Sequence, residues 1–487
     1  MVTVSLHRSR LLALGMALMA SATTARAETL QDALTDAYDT NPQILSERAH
    51  LRSVDENVPQ ALSNWRPTVQ FTGAAGAERL TNSPGLPATT ILTPGPDGTV
   101  VPMKQASFLP PVTNITPNTI DVNITQPLYR GGRTIAQIKE AEKTVQSERA
   151  RLAVTEQTVF FSVAQAYLDV VRDQATLDLA INNEQVLRKQ LESTQEQFKV
   201  GTVTRTDVAQ AESQYASAIA NRNSAEGNLQ ISRANYERAV GHLPPKLVAT
   251  KLRPVLPATR EEALRLAAVK NPNVVAALLG EDAARDQVQV IRGQLLPTLS
   301  VVGDYARLND TQFPHFDSTM ASVEARMTMP LYEGGAVYSQ TRQAIQNVGQ
   351  LQGVTDDARR AAVQSATQAW EQIAADRAQR KSLMEAVTAA EIAFEGTQAE
   401  QRVGTRTILD VLITEQTLFS AQVQLVTTEH DLAVAEFNLS QQIGRLTAAD
   451  LRLHVKLYDV NDHYRSVRDK LLGFGSGSPT QDAGEDR

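Results

Sequence analysis

Apolar residues recur every seven positions along the long proline-free stretches of the chain. One such stripe consists of Val411, Leu418, Leu425, Leu432 and Leu439. This spacing is typical of helices that pack side by side with a left-handed supercoil. The sequence therefore predicts helices over 132–200, 204–241, 335–403 and 407–444. At 1.5 Å per residue, the two longer helices would each extend about 100 Å.

A period of two replaces the heptad pattern before each long helix. Apolar and polar residues alternate from Ile120 to Ile124 and again from Ala321 to Met327. The predicted strands cover about 66–79, 118–127, 297–308 and 317–329. Strands of about ten residues with one apolar face are typical of outer-membrane proteins. A soluble hairpin half-buried on the helices would have the same pattern.

The chain is a tandem duplication. Motifs of the first half recur at an offset of 230 residues and then of 203 residues. The recurring motifs include Asn41-Pro42 with Asn271-Pro272, Gly131-Gly132 with Gly334-Gly335, and Val200-Gly201-Thr202 with Val403-Gly404-Thr405. The decrease of the offset from 230 to 203 residues indicates an insertion in the first copy. This insertion, 80–117, is rich in proline and is expected to be a long loop without regular structure.

The duplication divides the chain into segments. These are a signal peptide 1–27, a first repeat 28–241, a linker 242–258, a second repeat 259–445, a C-terminal segment 446–472 and a disordered tail 473–487. Each repeat opens with further helix, predicted over 28–64 and 259–294. We expect Pro59 to kink or end the first of these. Its part from Pro42 to about Asn64, joined end to end with the 204–241 helix, would make a second rod about as long as the 132–200 helix.

The first 27 residues indicate export. Arg8 and Arg10 precede an apolar stretch, and small residues lead to a cleavage site after Ala27. Later in the chain, no run reaches the roughly 18–20 apolar residues that a spanning helix needs. Entry into a membrane would therefore require β-strands. The few aromatic residues, 5% of the 487, also argue against several compact cores.

Composition and motifs exclude several function classes. The chain has no cysteine, which rules out disulfides, thiolate metal sites and a catalytic thiol. Its formal charge of −7 argues against a nucleic-acid partner. The seven histidines form no ligand pair at helical spacing, and no nucleotide-binding glycine motif is present. We therefore expect neither an enzyme nor a bound metal or cofactor.

Four strands are too few to close a barrel, and open strand edges are not tolerated in a bilayer. Closure therefore requires several copies of the chain. Three copies would supply twelve strands around a hollow tube. Two copies would supply eight, and side chains would fill the interior of so small a barrel.

The chain resembles the TolC family of outer-membrane efflux and type I secretion channels over residues 28–465. The resemblance rests on the duplicated Asn-Pro openings, on the run from Gln126 to Gly132, and on the run from Val403 to Val411. It implies a mainly α fold with a transmembrane β part. Three chains would form a periplasmic α-barrel and a 12-stranded outer-membrane β-barrel, with four strands per chain. Segment 446–472 would lie in an equatorial belt.

The resemblance also implies a function and partners. Members are passive homotrimeric conduits in the outer-membrane lipid of Gram-negative bacteria, with a periplasmic extension. A periplasmic adaptor (membrane fusion protein) and an inner-membrane ABC or RND-type transporter recruit and open them. The sequence does not distinguish a channel for efflux of small molecules from a channel for type I protein secretion.

Site residues follow from the same resemblance. Arg406 of one subunit would link to Thr206 and Asp207 of its neighbour and hold the periplasmic entrance shut. Asp410 would contribute to an acidic ring in the pore, and Ile413 stands where many relatives have a second aspartate. The tips that dock the adaptor would comprise Val200, Gly201, Thr202, Val403, Gly404 and Thr405. The strand-to-helix joints would comprise Pro127, Gly131, Gly132, Pro330, Gly334 and Gly335.

The sequence leaves two other functions open. A structural coiled-coil stalk or adhesin would explain the heptads, but not the duplication or the paired strands. A periplasmic adaptor would have one helical hairpin flanked by small β-domains rather than two hairpins with membrane strands.

Overall fold

The computed structural model describes residues 28–81, 90–94, 99–104, 112–248, 252–311 and 315–475. The signal peptide predicted over 1–27 lies outside these residues, as does the part of the predicted tail from 476 onwards. Most of the described chain is helical, and the strands precede the two longest helices.

The first repeat is built around one very long helix. Its helices are α1 (Leu30–Thr40), α2 (Pro42–Asp55), α3 (Asn57–Ser63), α4 (Arg133–Lys199) and α5 (Arg205–Val240). Helix α4 has 67 residues, in agreement with the length expected from its proline-free sequence. Helices α5, α2 and α3 all pack along α4.

The second repeat has the same plan. Its helices are α6 (Arg260–Lys270), α7 (Pro272–Arg292), α8 (Ala336–Arg402) and α9 (Ile408–Gln442), and a short α10 (Asp462–Val467) follows in the C-terminal segment. Helix α8 also has 67 residues. Helix α7 packs against both α4 and α8, so it joins the two repeats.

One difference between the repeats comes from Pro59. Helix α2 ends at Asp55, four residues before this proline, and a new helix begins at Asn57. A proline ring clashes with the carbonyl four residues earlier, which explains where α2 ends. Pro59 then lies in the first turn of α3, where an N–H would have no helical partner. At the equivalent position of the second repeat stands Gln289, and α7 is continuous.

The helices α5 and α2 are stacked end to end, and the asparagine of the Asn-Pro motif joins them. The Asn41 side-chain oxygen accepts from the N–H of Gln43 at 2.9 Å and so caps α2. Its Nδ2 donates to the carbonyl of Ala239, in the last turn of α5, at 3.1 Å. One side chain thus satisfies backbone groups of both helix ends, which would otherwise lack partners.

Strands form one main sheet and two smaller ribbons. The strands are β1 (Thr68–Ala75), β2 (Glu78–Thr81), β3 (Thr90–Pro94), β4 (Val100–Lys104), β5 (Val112–Ile115), β6 (Asn118–Arg130), β7 (Thr298–Asn309) and β8 (Asp317–Thr328). The main sheet is antiparallel in the order β1-β6-β7-β8. Gly73 pairs with Ile120, and Gly303 pairs with Val323, so the two repeats share one register.

The expectation of an unstructured loop over 80–117 is wrong in part. Within the described residues, β2 pairs with β5 and β3 pairs with β4, both antiparallel. Prolines 94 and 102 lie in the second of these ribbons. A two-stranded ribbon leaves one side of each strand unpaired, so it accommodates residues without an N–H.

The largest buried side chains form one cluster around α1. Phe160, Tyr167 and Tyr236 from α4 and α5 are fully buried there. Leu446 and Leu451 join the same cluster, so the C-terminal segment packs against the first repeat. The buried aromatic residues of the described chain are therefore concentrated in this one cluster.

Candidate functional site

The turn after α4 is a tight glycine turn. The N–H of Gly201 donates to the carbonyl of Phe198 at 2.9 Å, and that of Thr202 donates to Gln197 at 3.0 Å. Gly201 has a φ of +78°, in the left-handed region that glycine adopts without steric strain. These two bonds define a Schellman turn, which satisfies the last carbonyls of α4.

The turn after α8 repeats this geometry. The N–H of Gly404 donates to Gln401 and that of Thr405 donates to Glu400, both at 3.0 Å. Gly404 has a φ of +83°. Both long helices therefore end with a glycine in the left-handed region. We call these two turns, residues 200–204 and 403–407, the tips.

Each tip leads into a helix that begins with the same capping pair. Asp207 accepts from the backbone N–H and the hydroxyl of Thr204, both at 2.8 Å, and Thr204 accepts from the N–H of Asp207 at 3.3 Å. Asp410 makes the corresponding bonds with Thr407 at 3.0, 2.8 and 3.2 Å. Both aspartates therefore stabilise helix starts, whatever else they do.

Arg406 binds within its own tip. Its Nε donates to Glu400 Oε2 at 2.9 Å, and both side chains are about half exposed. The expected partners of Arg406, Thr206 and Asp207, belong to a neighbouring subunit, and that contact stays a prediction. Hydrogen bonds from Thr407, together with the charge of Arg406, hold the pKa of Asp410 below its usual range.

The tips combine an exposed apolar surface with a fixed position. The side chains of Val200 and Val403 are 74% and 75% exposed. Behind them, Ile408 and Leu412 at the start of α9 pack with Leu187 of α4 in a small buried cluster. This cluster holds the second tip beside the first. Thr206 is also exposed, at the surface of the first tip.

Paired glycines begin both long helices, at the strand-to-helix joints. Gly131 and Gly132 have φ of +64° and +73°, and Gly334 and Gly335 have φ of +63° and +81°. At Gly131 space is also limiting, since a Cβ there would overlap the carbonyl oxygen of Gly293. The chain can therefore turn from strand into helix only with glycine at this position.

The prolines of the two joints lie in different surroundings. Pro127 lies within β6, where the pairing with β7 shifts register between Pro127 and Tyr129. Strand β8 ends at Thr328, so Pro330 follows the strand instead of lying within it. The register explains the difference. Pro127 lies beyond Thr125, where the pairing of β6 with β1 ends, but it still lies opposite Ser300 of β7. Strand β8 ends at Thr328, opposite the first residue of β7, so Pro330 has no strand residue opposite it.

Comparison with known proteins identifies this architecture. The profile of the outer membrane efflux protein family matches residues 33–242 and 263–445. The chain belongs to this family.

Individual relatives agree with the family profile. The outer membrane efflux protein BepC of Brucella suis is 32% identical over 451 residues, which cover 92% of each chain. The outer membrane protein TolC of Escherichia coli is 27% identical over 64% of this chain and 66% of its own. The crystal structure of the Campylobacter jejuni CmeC outer membrane channel has a TM-score of 0.72 at 14% identity, covering 92% of this chain and 90% of that one. At this identity, the structural match shows a shared fold alone.

Family membership establishes the general activity. The chain is an outer-membrane export channel of a Gram-negative bacterium and not an enzyme. Family membership favours the channel over the two other functions that the sequence left open, a coiled-coil stalk and a periplasmic adaptor. None of the helices in the described part of the chain is both long and apolar enough to cross a membrane.

Sequence analysis of this efflux protein missed one acidic residue near the second tip. Glu415 is buried in α9, with a relative exposure of 6%. Its burial raises the pKa of the carboxyl group to about 7. A signal was present, because Glu415 follows Val411 by four residues and Leu412 by three, on the apolar face of the helix.

Proposed function

We propose that three copies of the chain close the main sheet into a cylinder of twelve strands in the outer membrane. The observation that carries this proposal is the pair of outer strands, β1 and β8, each with one edge unpaired in the described chain. Lipid offers no hydrogen-bond partner for such an edge. Apolar side chains on these strands are highly exposed, among them Val69 and Phe71 at 68% and Val323 at 81%.

The duplication predicts how neighbouring copies pair. Strand β8 is the counterpart of β6 at an offset of 203, and β1 is the counterpart of β7 at an offset of 230. Within the chain, Thr125 of β6 pairs with Val302 of β7. Transferred to the counterparts, Thr328 of one copy pairs with Thr72 of the next. Each added copy continues the sheet in the same direction of curvature until β8 of the last copy pairs with β1 of the first. With three copies, the resulting twelve-stranded cylinder has a hollow interior.

Disulfide crosslinking tests this register, since the chain has no cysteine of its own. A variant with Thr72→Cys and Thr328→Cys is oxidised in outer-membrane vesicles and separated by denaturing electrophoresis. We expect bands of one, two and three chains, with the trimer as the largest species. The matched control combines Thr72→Cys with Ser322→Cys, which is six residues away on β8 and should crosslink poorly.

Other outcomes would contradict the proposal. A ladder that stops at two chains would indicate an eight-stranded assembly, and a ladder without an end would indicate an open filament. Equal crosslinking in the control would mean that the register is wrong.

The helical part extends this cylinder into the periplasm and ends at the tips. There Arg406 exchanges its Glu400 partner for Thr206 and Asp207 of the neighbouring copy, which closes the entrance. This exchange is feasible because the side chains of Arg406 and Glu400 are both exposed to solvent at the second tip. Asp410, one helical turn further, contributes one carboxylate per copy to an acidic ring.

The tips are also the surface to which the periplasmic adaptor docks. The exposed Val200 and Val403 side chains offer a periplasmic adaptor an apolar contact at the entrance. The adaptor connects the channel to an inner-membrane transporter, and its docking opens the gate. The cargo comprises small molecules, secreted proteins or both, because a wide water-filled tube makes few contacts with what passes through it.

A further inference from the structure

Three metal-binding side chains meet where α5 ends and α1 begins. Glu28 precedes α1, Asp36 lies on α1, and His242 follows Gly241 at the end of α5. The Nε2 of His242 lies 3.4 Å from Asp36 Oδ2 and 3.7 Å from Glu28 Oε1. In the part of the chain that the structure describes, this is the one group of three such residues with ligand atoms within 4.8 Å.

The histidine ring is oriented with Nε2 toward the two carboxylates. Its other nitrogen, Nδ1, lies 3.1 Å from the carbonyl oxygen of Leu243. A carbonyl only accepts, so Nδ1 carries the hydrogen of this bond. Histidines that bind metals typically donate their second ring N–H to a backbone carbonyl in this way.

The distances fit coordination better than direct hydrogen bonding. N–H···O bonds span about 2.7–3.2 Å, shorter than both contacts of His242. In a tetrahedral zinc site, metal–ligand bonds of about 2.0–2.2 Å put neighbouring ligand atoms about 3.3–3.6 Å apart. The contact with Asp36 lies within that interval, and the contact with Glu28 is slightly longer.

Glu28 is held in place and is incompletely satisfied. Its side chain is buried, with a relative exposure of 8%. Oε1 accepts from the hydroxyl of Tyr236 at 2.7 Å. Oε2 is buried and has no hydrogen-bond partner among the described residues. A buried carboxylate oxygen without a partner is unfavourable, and a cation bound by this carboxylate would reduce that cost.

The second repeat shows that the fold does not require these residues. At the counterpart positions stand Ala258 for Glu28, Leu266 for Asp36, Arg445 for His242 and Leu439 for Tyr236. The corresponding helices of the second repeat, α6 and α9, pack together there without any of these four polar side chains. The set therefore serves something other than the joining of the helices.

We propose that Glu28, Asp36 and His242 bind one zinc ion, with water in the fourth position. One imidazole and two carboxylates suit Zn²⁺ better than Mg²⁺ or Ca²⁺, which prefer oxygen ligands throughout. Asp36 and His242 are partly exposed, so the ion can enter from solvent. The predicted cleavage after Ala27 makes Glu28 the first residue of the mature chain. The ion would tie this end of the chain to the end of α5.

Calorimetric titration with Zn²⁺ tests the site on the full, detergent-solubilised chain. The protein carries no histidine tag, is stripped with EDTA, and its intact mass establishes that it begins at Glu28. We expect one ion per chain. Asp36→Asn and His242→Gln should each weaken binding at least tenfold, and Tyr236→Phe should weaken it about tenfold through loss of the bond that orients Glu28. The control His454→Gln removes an exposed histidine elsewhere and should bind as the unaltered chain does.

Three outcomes would overturn the proposal. No zinc uptake by the unaltered chain would mean that the cluster is a protonated imidazole between two carboxylates. Equal binding by the His242→Gln variant would place the ion elsewhere. An excess of Mg²⁺ that displaced the zinc would contradict the assignment of the metal. Neither the site nor its test depends on the proposed trimer, so each proposal can fail without the other.

Discussion

Asn41 and Asn271 lie 230 positions apart and make the same two contacts. Each side-chain oxygen caps its own helix at 2.9 Å, through the N–H of Gln43 or of Asn273. Each Nδ2 donates to the last turn of the helix stacked on that end, Asn41 to Ala239 of α5 at 3.1 Å and Asn271 to Gln442 of α9 at 2.9 Å. The Asn-Pro motif thus converts two separate helices into one continuous rod, once in each repeat.

Replacing either asparagine should therefore destabilise the junction. Asn41→Ala and Asn271→Ala each remove a helix cap and a buried hydrogen bond, so we expect a loss of about 1–2 kcal/mol in the free energy of unfolding. Denaturant titration in detergent measures the loss. The control Asn273→Ala makes the same chemical change two residues further on, at an exposed position, and should cost far less. Equal effects at 271 and 273 would contradict this account.

The gate can be opened by one substitution at the second tip. Arg406→Ser removes the donor that we assign to the link between neighbouring copies, so single-channel conductance in planar bilayers should rise. Thr206→Val removes an acceptor without touching the cap formed by Thr204 and Asp207, and should act in the same direction. Arg402→Ser, one turn earlier on α8, is the control and should leave conductance unchanged. If Arg406→Ser behaves like this control, the gate does not involve Arg406.

The acidic ring predicts block of the channel by cations. Asp410→Asn keeps an oxygen for the cap with Thr407 but removes the charge, so trivalent cations should block the channel less well. Ile413 is 54% exposed and follows Asp410 on the same side of α9. Ile413→Asp should therefore create a second ring and strengthen the block. Concentration dependence of the block in planar bilayers measures both changes.

A control separates charge from helix capping at this ring. Thr407→Val weakens the cap at Asp410 but keeps the carboxylate charge, so it should leave cation block largely as it was. Block that is unaltered in Asp410→Asn would place the ring elsewhere in the channel.

Glu415 should make the stability of the chain depend on pH. The pKa of its carboxyl group is about 7 in the folded chain, against 4.5 for an ordinary glutamate. The folded chain therefore holds this proton more tightly, and the free energy of unfolding falls as pH rises from about 4.5 to about 7. Because Glu415 is only 6% exposed, we expect the free energy of unfolding to fall by roughly 3 kcal/mol over that window.

Glu415→Gln should remove the contribution of Glu415 to this dependence and leave the chain more stable than the parent at pH 8. Other carboxyl groups whose pKa is raised by burial, such as that of Glu156, keep their contributions. Unfolding midpoints measured at pH 5 and pH 8 give the comparison. Glu429→Gln, an exposed change on the same helix, should leave the pH dependence intact. A pH dependence as steep in Glu415→Gln as in the parent would assign the titration to other groups.

Local patterns were sufficient for the long elements. The heptads and the absence of proline predicted α4 and α8, because each turn of a helix depends on residues three and four positions away. The helix ends at 200 and 403 followed from the same local reasoning, and the structure adds the left-handed conformation of the glycines at 201 and 404. The expectation for 80–117 was wrong in part because prolines argue against long strands but are compatible with short two-stranded ribbons.

Contacts between distant residues escaped the sequence. Glu28 and His242 are 214 positions apart, and no spacing rule connects them. The burial of Glu415 was also invisible, although its position on the apolar face was not. Both depend on how whole helices lie against one another.

The sequence by itself determined the duplication, the helix and strand types, and the motifs at their ends, because these arise from neighbours along the chain. Only the tertiary structure decided which side chains connect the stacked helix ends, which strands remain unpaired at the sheet edges and which acidic side chains are buried. Those properties depend on the packing of rods about 100 Å long, where the partner of a residue is set by geometry across the bundle and not by its distance in the chain.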